Sequence, residues 1–268
     1  MMAQAGGEDT VKAAWTDATL TNPHALGDKA GRVRRMFGAI ARSYDLNNRL
    51  HSGWQDQAWR RFAVKRAAVA PGDRVLDVAC GTGDLTQAFA GTAAAEVVGL
   101  DFTPEMLALA EEKRTRLSGN VASKVRYVEG DAQHLPFEDG SFDVVSIAFG
   151  IRNVADPAKA VREFARVLRP GGRLVVLEFD RPTWQPMRWF NDFYCGRVMP
   201  WTATLISGDT SGAYKYLPRS VGTFMTRVEM CSTLAASGFE RVRDRALTFG
   251  ICVCYSAVRG SGVPSTTA

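Results

Sequence analysis

Acidic residues and glycines recur in this chain at places that suit a ligand carrying a nucleoside. Asp77-Val78-Ala79-Cys80-Gly81-Thr82-Gly83 follows an apolar run, Asp101 closes the next one, and Gly130-Asp131-Ala132 comes after a third. Glycines without a β-carbon let a ligand approach the backbone closely. A lone G-x-G is weak, and the dinucleotide pattern G-x-G-x-x-G wants Gly or Ala at position 86, where this chain has Thr86. Asp84, at the start of the next helix, opposes a pyrophosphate but is compatible with a sulfonium and an ammonium.

In that setting Asp77 suits the amino group of a methionyl tail, and Asp101 can accept both hydroxyls of a ribose. Asp131 can accept an adenine amino group while the backbone N–H of Ala132 meets a ring nitrogen. Each residue has a plainer role open to it. Asp84 can stabilise a helix dipole, Asp101 can cap the helix that Thr103 competes to cap, and Asp131 can be a loop acid. Taken in order, they read as a site for S-adenosylmethionine with Gly81 and Gly83 in its loop.

These residues need a parallel sheet to bring them together. From Arg74 to Arg181, short apolar runs alternate with helical patterns, which signals a β-α-β chain. Strands are expected at 74–79, 96–101, 125–128, 142–149 and 173–179. Thr103-Pro104 and Asp156-Pro157 open helices, and Pro170-Gly171-Gly172 is expected to terminate the second of these. A helix around Val228–Ser237 ends at Gly238, and two β-like runs, 239–247 and 250–258, finish the fold. The expected class is therefore α/β: a Rossmann-like, mostly parallel seven-stranded sheet with helices on both faces and an antiparallel C-terminal strand. The expected organisation is a disordered tail over 1–30, one domain over 31–259 and a flexible tail over 260–268. Within the domain, 31–70 form a helical cap and 182–225 a substrate-side lid, the latter an aromatic-rich stretch to Trp201 with a Gly/Ser/Thr loop at 207–212.

Composition narrows the class. At 268 residues with 46% hydrophobic and 23% charged residues, the chain is ordinary for a soluble enzyme. No apolar run reaches the length of a membrane span, and the first thirty residues resemble neither a signal nor a transit peptide. A net charge of +5 comes without a dense basic block interleaved with aromatics, so neither a nucleic-acid partner nor RNA methylation is favoured. Attraction to an anionic membrane surface is compatible with that charge. The five cysteines are scattered, and Cys252-x-Cys254 lacks the second pair or histidines of a zinc set, so no metal is expected and a reducing cytoplasm fits.

Three stretches resemble the class I methyltransferases generally: Val75–Leu85, Gly130–Phe137 and Arg166–Gly172. Narrower ones are similar to the UbiE/MenG/Coq5 family of quinone-ring C-methyltransferases: Phe149-Gly-Ile-Arg-Asn-Val154, Ala213-Tyr-Lys-Tyr-Leu-Pro218, and Tyr44-Asp-x-x-Asn48 followed by Trp59-Arg60. The resemblance runs from about Met36 to Val258. It implies that Thr82, Asp101, Asp131 and Ala132 contact the cofactor. The chain departs from the family at Ala148, where a serine is common, and at Phe224-Met225.

The resemblance also implies a reaction: methylation of a ring carbon of a prenylated quinol, in menaquinone synthesis (demethylmenaquinol to menaquinol), in ubiquinone synthesis, or in both. Arg152 is then expected to favour an ionised quinol hydroxyl, with Asn153 as an orienting amide; otherwise Arg152 forms a surface salt bridge. Tyr214, Tyr44, His51 and a water ordered by Arg152 and Asn153 compete as the base, whereas His134 reads as a loop residue. Trp184, Met187, Trp189, Phe190, Phe193, Met199 and Trp201, with Arg188 and Arg197 among them, suggest a lid at the membrane interface or a helix packed over the sheet. A methyltransferase of another phenolic or lipid acceptor and a non-catalytic cofactor-binding protein stay open as rivals, as does assembly into a homo-oligomer.

Overall fold

The computed structural model describes residues 14–16, 18–209 and 211–261. Two helices come first, α1 (Lys29–Ser52) and α2 (Gln55–Ala67), joined by Gly53 and Trp54, both in the left-handed region. Then follow β1 (Arg74–Val78), α3 (Asp84–Ala90), β2 (Glu96–Asp101), α4 (Pro104–Arg114), the single turn α5 (Gly119–Ala122), β3 (Val125–Glu129) and β4 (Phe142–Ala148). The remainder is α6 (Pro157–Val167), β5 (Leu168–Phe179), α7 (Gln185–Phe193), α8 (Met199–Ser207), α9 (Ala213–Gly222), α10 (Arg227–Ala236), β6 (Phe239–Leu247) and β7 (Cys252–Arg259).

The seven strands lie in the order β3-β2-β1-β4-β5-β7-β6. The first five are mutually parallel, and β7 runs antiparallel to both β5 and β6. The switch in strand order falls between β1 and β4, which puts a crevice at their carboxyl ends. Central strands bury both faces, so Val75–Val78, Val97–Asp101 and Phe142–Ile147 are continuously buried rather than alternating. Trp59, Ala63, Leu85 and Phe89 from α2 and α3 cover one face, and Phe164, Met230 and Leu234 from α6 and α10 cover the other. Local chemistry fixes the helix starts: the Asp156 carboxylate accepts from the Lys159 N–H at 2.9 Å, and Thr226 with Glu229 forms a reciprocal capping box. Among the described residues, no helix is long and apolar enough to cross a membrane.

Three expectations change. Pro170-Gly171-Gly172 does not end α6, which has stopped at Val167; the three residues form a bulge inside β5. Pairing passes from Phe142↔Leu168 to Val144↔Arg173 across it, with Gly171 at φ 76° and Gly172 too close to the Arg169 carbonyl for a β-carbon. The aromatic stretch after Pro182 is helical, as α7, a π-helical turn at Tyr194–Val198, and α8; Ala213–Gly222 adds α9. The N-terminal tail is in part packed structure. Ala14, Trp15 and Leu20 are buried, Trp15 stacks on Tyr216 with ring centroids 4.3 Å apart, and its N–H donates to the Ser211 carbonyl. Its indole N–H donates to Met36 Sδ on α1 at 3.1 Å. The rest of the expected N-terminal tail, residues 1–13 and 17, lies outside the described residues, as do 262–268 of the C-terminal one.

Candidate functional site

The turn after β1 is forced into a narrow conformation. Ala79, Gly81 and Gly83 all have positive φ (51°, 56° and 83°), which glycine adopts freely and alanine only at a cost. The two glycines do different work. A β-carbon on Gly83 would lie 2.2 Å from the Tyr127 hydroxyl, so Gly83 lets the turn pack against β3. Gly81 instead lines an open cleft opposite Tyr44.

Asp77 lies beneath this turn and not in the cleft. It is 1% exposed, and its two oxygens accept hydrogen bonds from the Thr86 and Ser146 hydroxyls, each at 2.7 Å. Burial pushes its carboxyl up to about 6 against those two donors. Both carboxylate oxygens of Asp77 are thus engaged, and the residue ties β1, β4 and α3 together. Thr86, which departs from the dinucleotide pattern, supplies one of the two ties.

The cleft itself runs along the ends of β1, β2 and β4. Asp101, Gly130, Asp131 and Ala132 line it together with Ala79, Gly81, Tyr44 and Phe149. Asp101 is oriented by backbone, with one oxygen accepting from Gly81 N–H at 2.8 Å and the other from Thr103 N–H at 2.9 Å. Thr103 holds the N-cap position of α4 without a side-chain capping bond, and Asp101 accepts from the N–H of that N-cap residue rather than from the first turn of the helix. Asp131 is half-exposed and accepts from the Gln133 N–H, and Ala132 is buried.

Thr82 turns away from the cleft. Its hydroxyl donates to Asp45 at 2.6 Å, and Lys113 reaches Asp45, Thr82 and Asp84 together. Arg49 and Gln57 complete this cluster on Asp84. Burial works against the Asp84 charge, but Lys113 and the arginines hold its carboxyl below the usual range. The sequence offered Asp84 as an electrostatic selector; it is instead a paired residue that clamps α1 and α4 onto the glycine turn.

Beyond Phe149 opens a second, larger cavity of about 1200 Å³ between α1, α2, α7 and α9. Phe149 belongs to the walls of both and is held at φ 59°, a strained backbone for an aromatic residue at a junction of two spaces. Its carbonyl accepts from Arg152 Nη1 at 2.8 Å and Asn153 Nδ2 at 3.2 Å. Arg152 is buried, not on the surface. It pairs with Glu178, whose carboxyl burial pushes up while the guanidinium pulls it back. Asn153 accepts from the Tyr216 hydroxyl at 2.9 Å, and the ring of Tyr216 carries Trp15.

Lys29, only 2% exposed, donates to the Arg152 and Val154 carbonyls at 2.9 and 2.6 Å, and burial lowers its ammonium to about 8. Glu178 and Lys29 were missed from sequence. A single acid inside the apolar run Leu174–Phe179 was the available signal for Glu178; nothing in the pattern marked Lys29.

Five polar atoms on residues lining the large cavity have no hydrogen-bond partner among the described residues: Asn47 Oδ1, His51 Nε2, the Tyr214 hydroxyl, and Nε and Nη1 of Arg60. His51 Nδ1 lies 2.8 Å from the Tyr194 hydroxyl, and burial lowers the imidazole below its usual value. Burial raises both the Tyr44 and Tyr214 phenols. His134 is an exposed loop residue beside Lys159. Cys252 and Cys254 are both buried on β7, and among the described residues no group of three His, Cys, Asp or Glu could hold a metal.

The strand order, the crevice at the β1/β4 switch and the turn of left-handed residues define a class I methyltransferase fold. Two solved methyltransferases share it. One, from Haloferax volcanii in complex with the activator Trm112, matches with TM-score 0.60 at 20% identity over 86% of this chain and 99% of its own. The other, a SAM-dependent enzyme of Thermotoga maritima, gives 0.59 at 19% over 85% and 99%. Within that class the chain belongs to the ubiE/COQ5 methyltransferase family, whose model matches residues 25–259. It is 48% identical to the demethylmenaquinone methyltransferase of Thermus thermophilus over 82% of this chain and 98% of the relative. It is also 44% identical to the ubiquinone/menaquinone biosynthesis C-methyltransferase UbiE of Geobacter sp. strain M21, over 87% and 98%.

Proposed function

We propose that the protein transfers the methyl group of S-adenosylmethionine to a ring carbon of a prenylated quinol, with demethylmenaquinol as the preferred acceptor. The observation that carries this reading is the junction at Phe149, where a cleft lined by Asp101, Asp131 and Ala132 meets a cavity large enough for a ring and part of its chain. The cleft residues fit the cofactor: carboxylates for ribose and adenine, and Gly81, whose missing β-carbon leaves room beside the turn. Asp101, Asp131, Ala132 and Gly81 hold the cofactor directly. Asp77, Thr82 and Gly83 shape the turn beneath it.

On the acceptor side the ring carbon forms its new C–C bond as the S–CH3 bond breaks, and one proton must leave the quinol. Arg152 and Asn153, fixed by Glu178 and Tyr216, position the ring at near-attack distance. The raised phenols of Tyr44 and Tyr214 stay protonated at neutral pH, which suits Tyr214 to donate a hydrogen bond and makes both poor bases. His51 is neutral at the same pH and has a ring nitrogen without a partner, so it takes the proton. The test is turnover by the purified protein with labelled S-adenosylmethionine and demethylmenaquinol or its benzoquinol counterpart. Label in menaquinol is expected, and label in neither product would overturn the reading. Arg152→Ala is expected to lose turnover and keep cofactor binding; near-normal turnover would remove Arg152 from its role.

The prenyl chain needs an apolar route, and α7 with α8 supplies one. Trp184, Trp189, Phe190, Phe193, Trp201 and Leu205 are each more than half exposed, with Arg188 and Arg197 among them. Such a face suits a peripheral contact with an anionic bilayer. Co-sedimentation with anionic vesicles is expected for the wild type and lost in Trp189→Ser/Phe190→Ser. Equal partitioning of the two proteins would sink the contact.

A further inference from the structure

Two arginines lie deep in the acceptor cavity, and only one of them is neutralised. Arg152 has Glu178, the Phe149 carbonyl and the Ser220 hydroxyl around it. Arg60, on α2, is 8% exposed; among the described residues it forms no ion pair, and its Nε and Nη1 are cut off from solvent without a hydrogen-bond partner. Its one specific contact is with a ring: the guanidinium carbon sits 5.2 Å from the centroid of Phe149. A buried guanidinium without a counter-ion costs the fold several kcal/mol. Such a group persists where a ligand brings the missing anion.

The position says which anion. Phe149 and Tyr44 are shared by the cleft and the cavity. The Arg60 charge is felt by Asp77, Asp84 and Tyr44, so it stands near the glycine turn as well. Those two aspartates cannot satisfy it, since Asp77 is tied to Thr86 and Ser146, and Asp84 to Lys113 and Arg49. Asp101 is bonded to the Gly81 N–H, so a cofactor whose adenine meets Asp131 and whose ribose meets Asp101 carries its amino-acid tail past the glycine turn, on the side where Arg60 stands. We propose that Arg60 binds the α-carboxylate of the methionyl tail of S-adenosylmethionine, across the face of Phe149. This assignment rests on the cofactor reading above. A quinol oxygen fits less well, because it is neutral until a base acts, whereas the carboxylate is charged throughout and matches a permanently charged guanidinium.

The test uses the full-length protein with Arg60→Gln and Arg60→Lys. Calorimetry measures the affinity for S-adenosylhomocysteine, which keeps the carboxylate, and for 5′-methylthioadenosine, which lacks the amino-acid tail. Arg60→Gln is expected to weaken S-adenosylhomocysteine at least tenfold and leave methylthioadenosine within twofold, with Arg60→Lys between. Without ligand, the melting temperature of Arg60→Gln is expected to equal or exceed that of the wild type, because an unpaired buried charge has gone.

Unchanged S-adenosylhomocysteine binding overturns the proposal, and if the quinol KM rises at the same time Arg60 belongs to the acceptor. Parallel loss of both nucleosides, or a lowered melting temperature without ligand, also overturns it by making Arg60 a packing residue. Should the wild type bind neither nucleoside, the cofactor reading itself fails, an outcome distinct from all of these.

Discussion

The cleft along β1 and β2 is held by bonds that are finished before any ligand arrives, whereas the cavity beyond Phe149 leaves polar atoms open. In the cleft Asp101 is fixed by two backbone N–H groups, and beneath it Asp77 is fixed by two hydroxyls. In the cavity, Asn47, His51, Arg60 and Tyr214 each carry an unpartnered polar atom. A cleft of the first kind is pre-organised and gives one ligand one pose. A cavity of the second kind is completed by its ligands, Arg60 by the carboxylate proposed above and the other three by the acceptor, so these residues contribute little to the fold and much to binding. Arg152 is the exception within the cavity, because Glu178 already satisfies it.

That exception gives the largest expected effect. Glu178→Ala strands a buried guanidinium and is expected to lower unfolding free energy by about 3–5 kcal/mol, read by urea denaturation. The double variant Arg152→Met/Glu178→Leu removes both charges and is expected to recover most of the loss while staying inactive. A Glu178→Ala protein within about 1 kcal/mol of wild type would show that Arg152 is as open as Arg60, and the exception would vanish.

A smaller effect is expected under the glycine turn. Burial raises the Asp77 carboxyl from 3.8 to about 6, so the folded state favours its protonated form. Its contribution to stability is full below pH 3.8 and is lost as the pH rises through about 6, at a cost of about 3 kcal/mol above that. Asp77→Asn is therefore expected to gain about 1–3 kcal/mol at pH 7.5 and to flatten the pH dependence between 4 and 7. Its affinity for S-adenosylhomocysteine is expected to stay within threefold of wild type. A loss beyond tenfold would mean that Asp77 reaches the ligand, and the cleft floor would no longer be finished without it.

The same division decides what could be read from sequence. Strand ends and turns lie close to one another along the chain, and each carries its signal locally. The strands at 96–101 and 239–247, the Asp156 cap and the Gly238 stop all stand where apolar period and cap residues put them. Asp101 and Asp131 reach one cleft because parallel strands align their carboxyl ends. Pairings across the chain carry no such signal. Arg152 was legible and Glu178 was not, since nothing local says which acid twenty-six residues away lies on the neighbouring strand. Trp15 looked like tail because its partner, Tyr216, lies two hundred residues on. Thr82 and Asp84 were legible as loop residues, yet their direction depends on Lys113 and Asp45, which come from α4 and α1.

Lys113 gives the smallest and most discriminating prediction. It reaches across to Asp45, Thr82 and Asp84, and so fastens the helix that also walls the acceptor cavity to the turn that lines the cleft. The ammonium is about one-fifth exposed, so water and salt screen the cluster, and exposed pairs of this kind contribute up to about 1 kcal/mol. Lys113→Met is expected to weaken S-adenosylhomocysteine by about two- to fivefold at low salt, with the difference shrinking as ionic strength rises. The KM for the quinol is expected to stay put, because the atoms open to the acceptor lie on other side chains. If instead the quinol KM rises in step with the loss of S-adenosylhomocysteine, α1 transmits strain from one space to the other. The cleft and the cavity would then be one cooperative unit, not a finished half beside an open one.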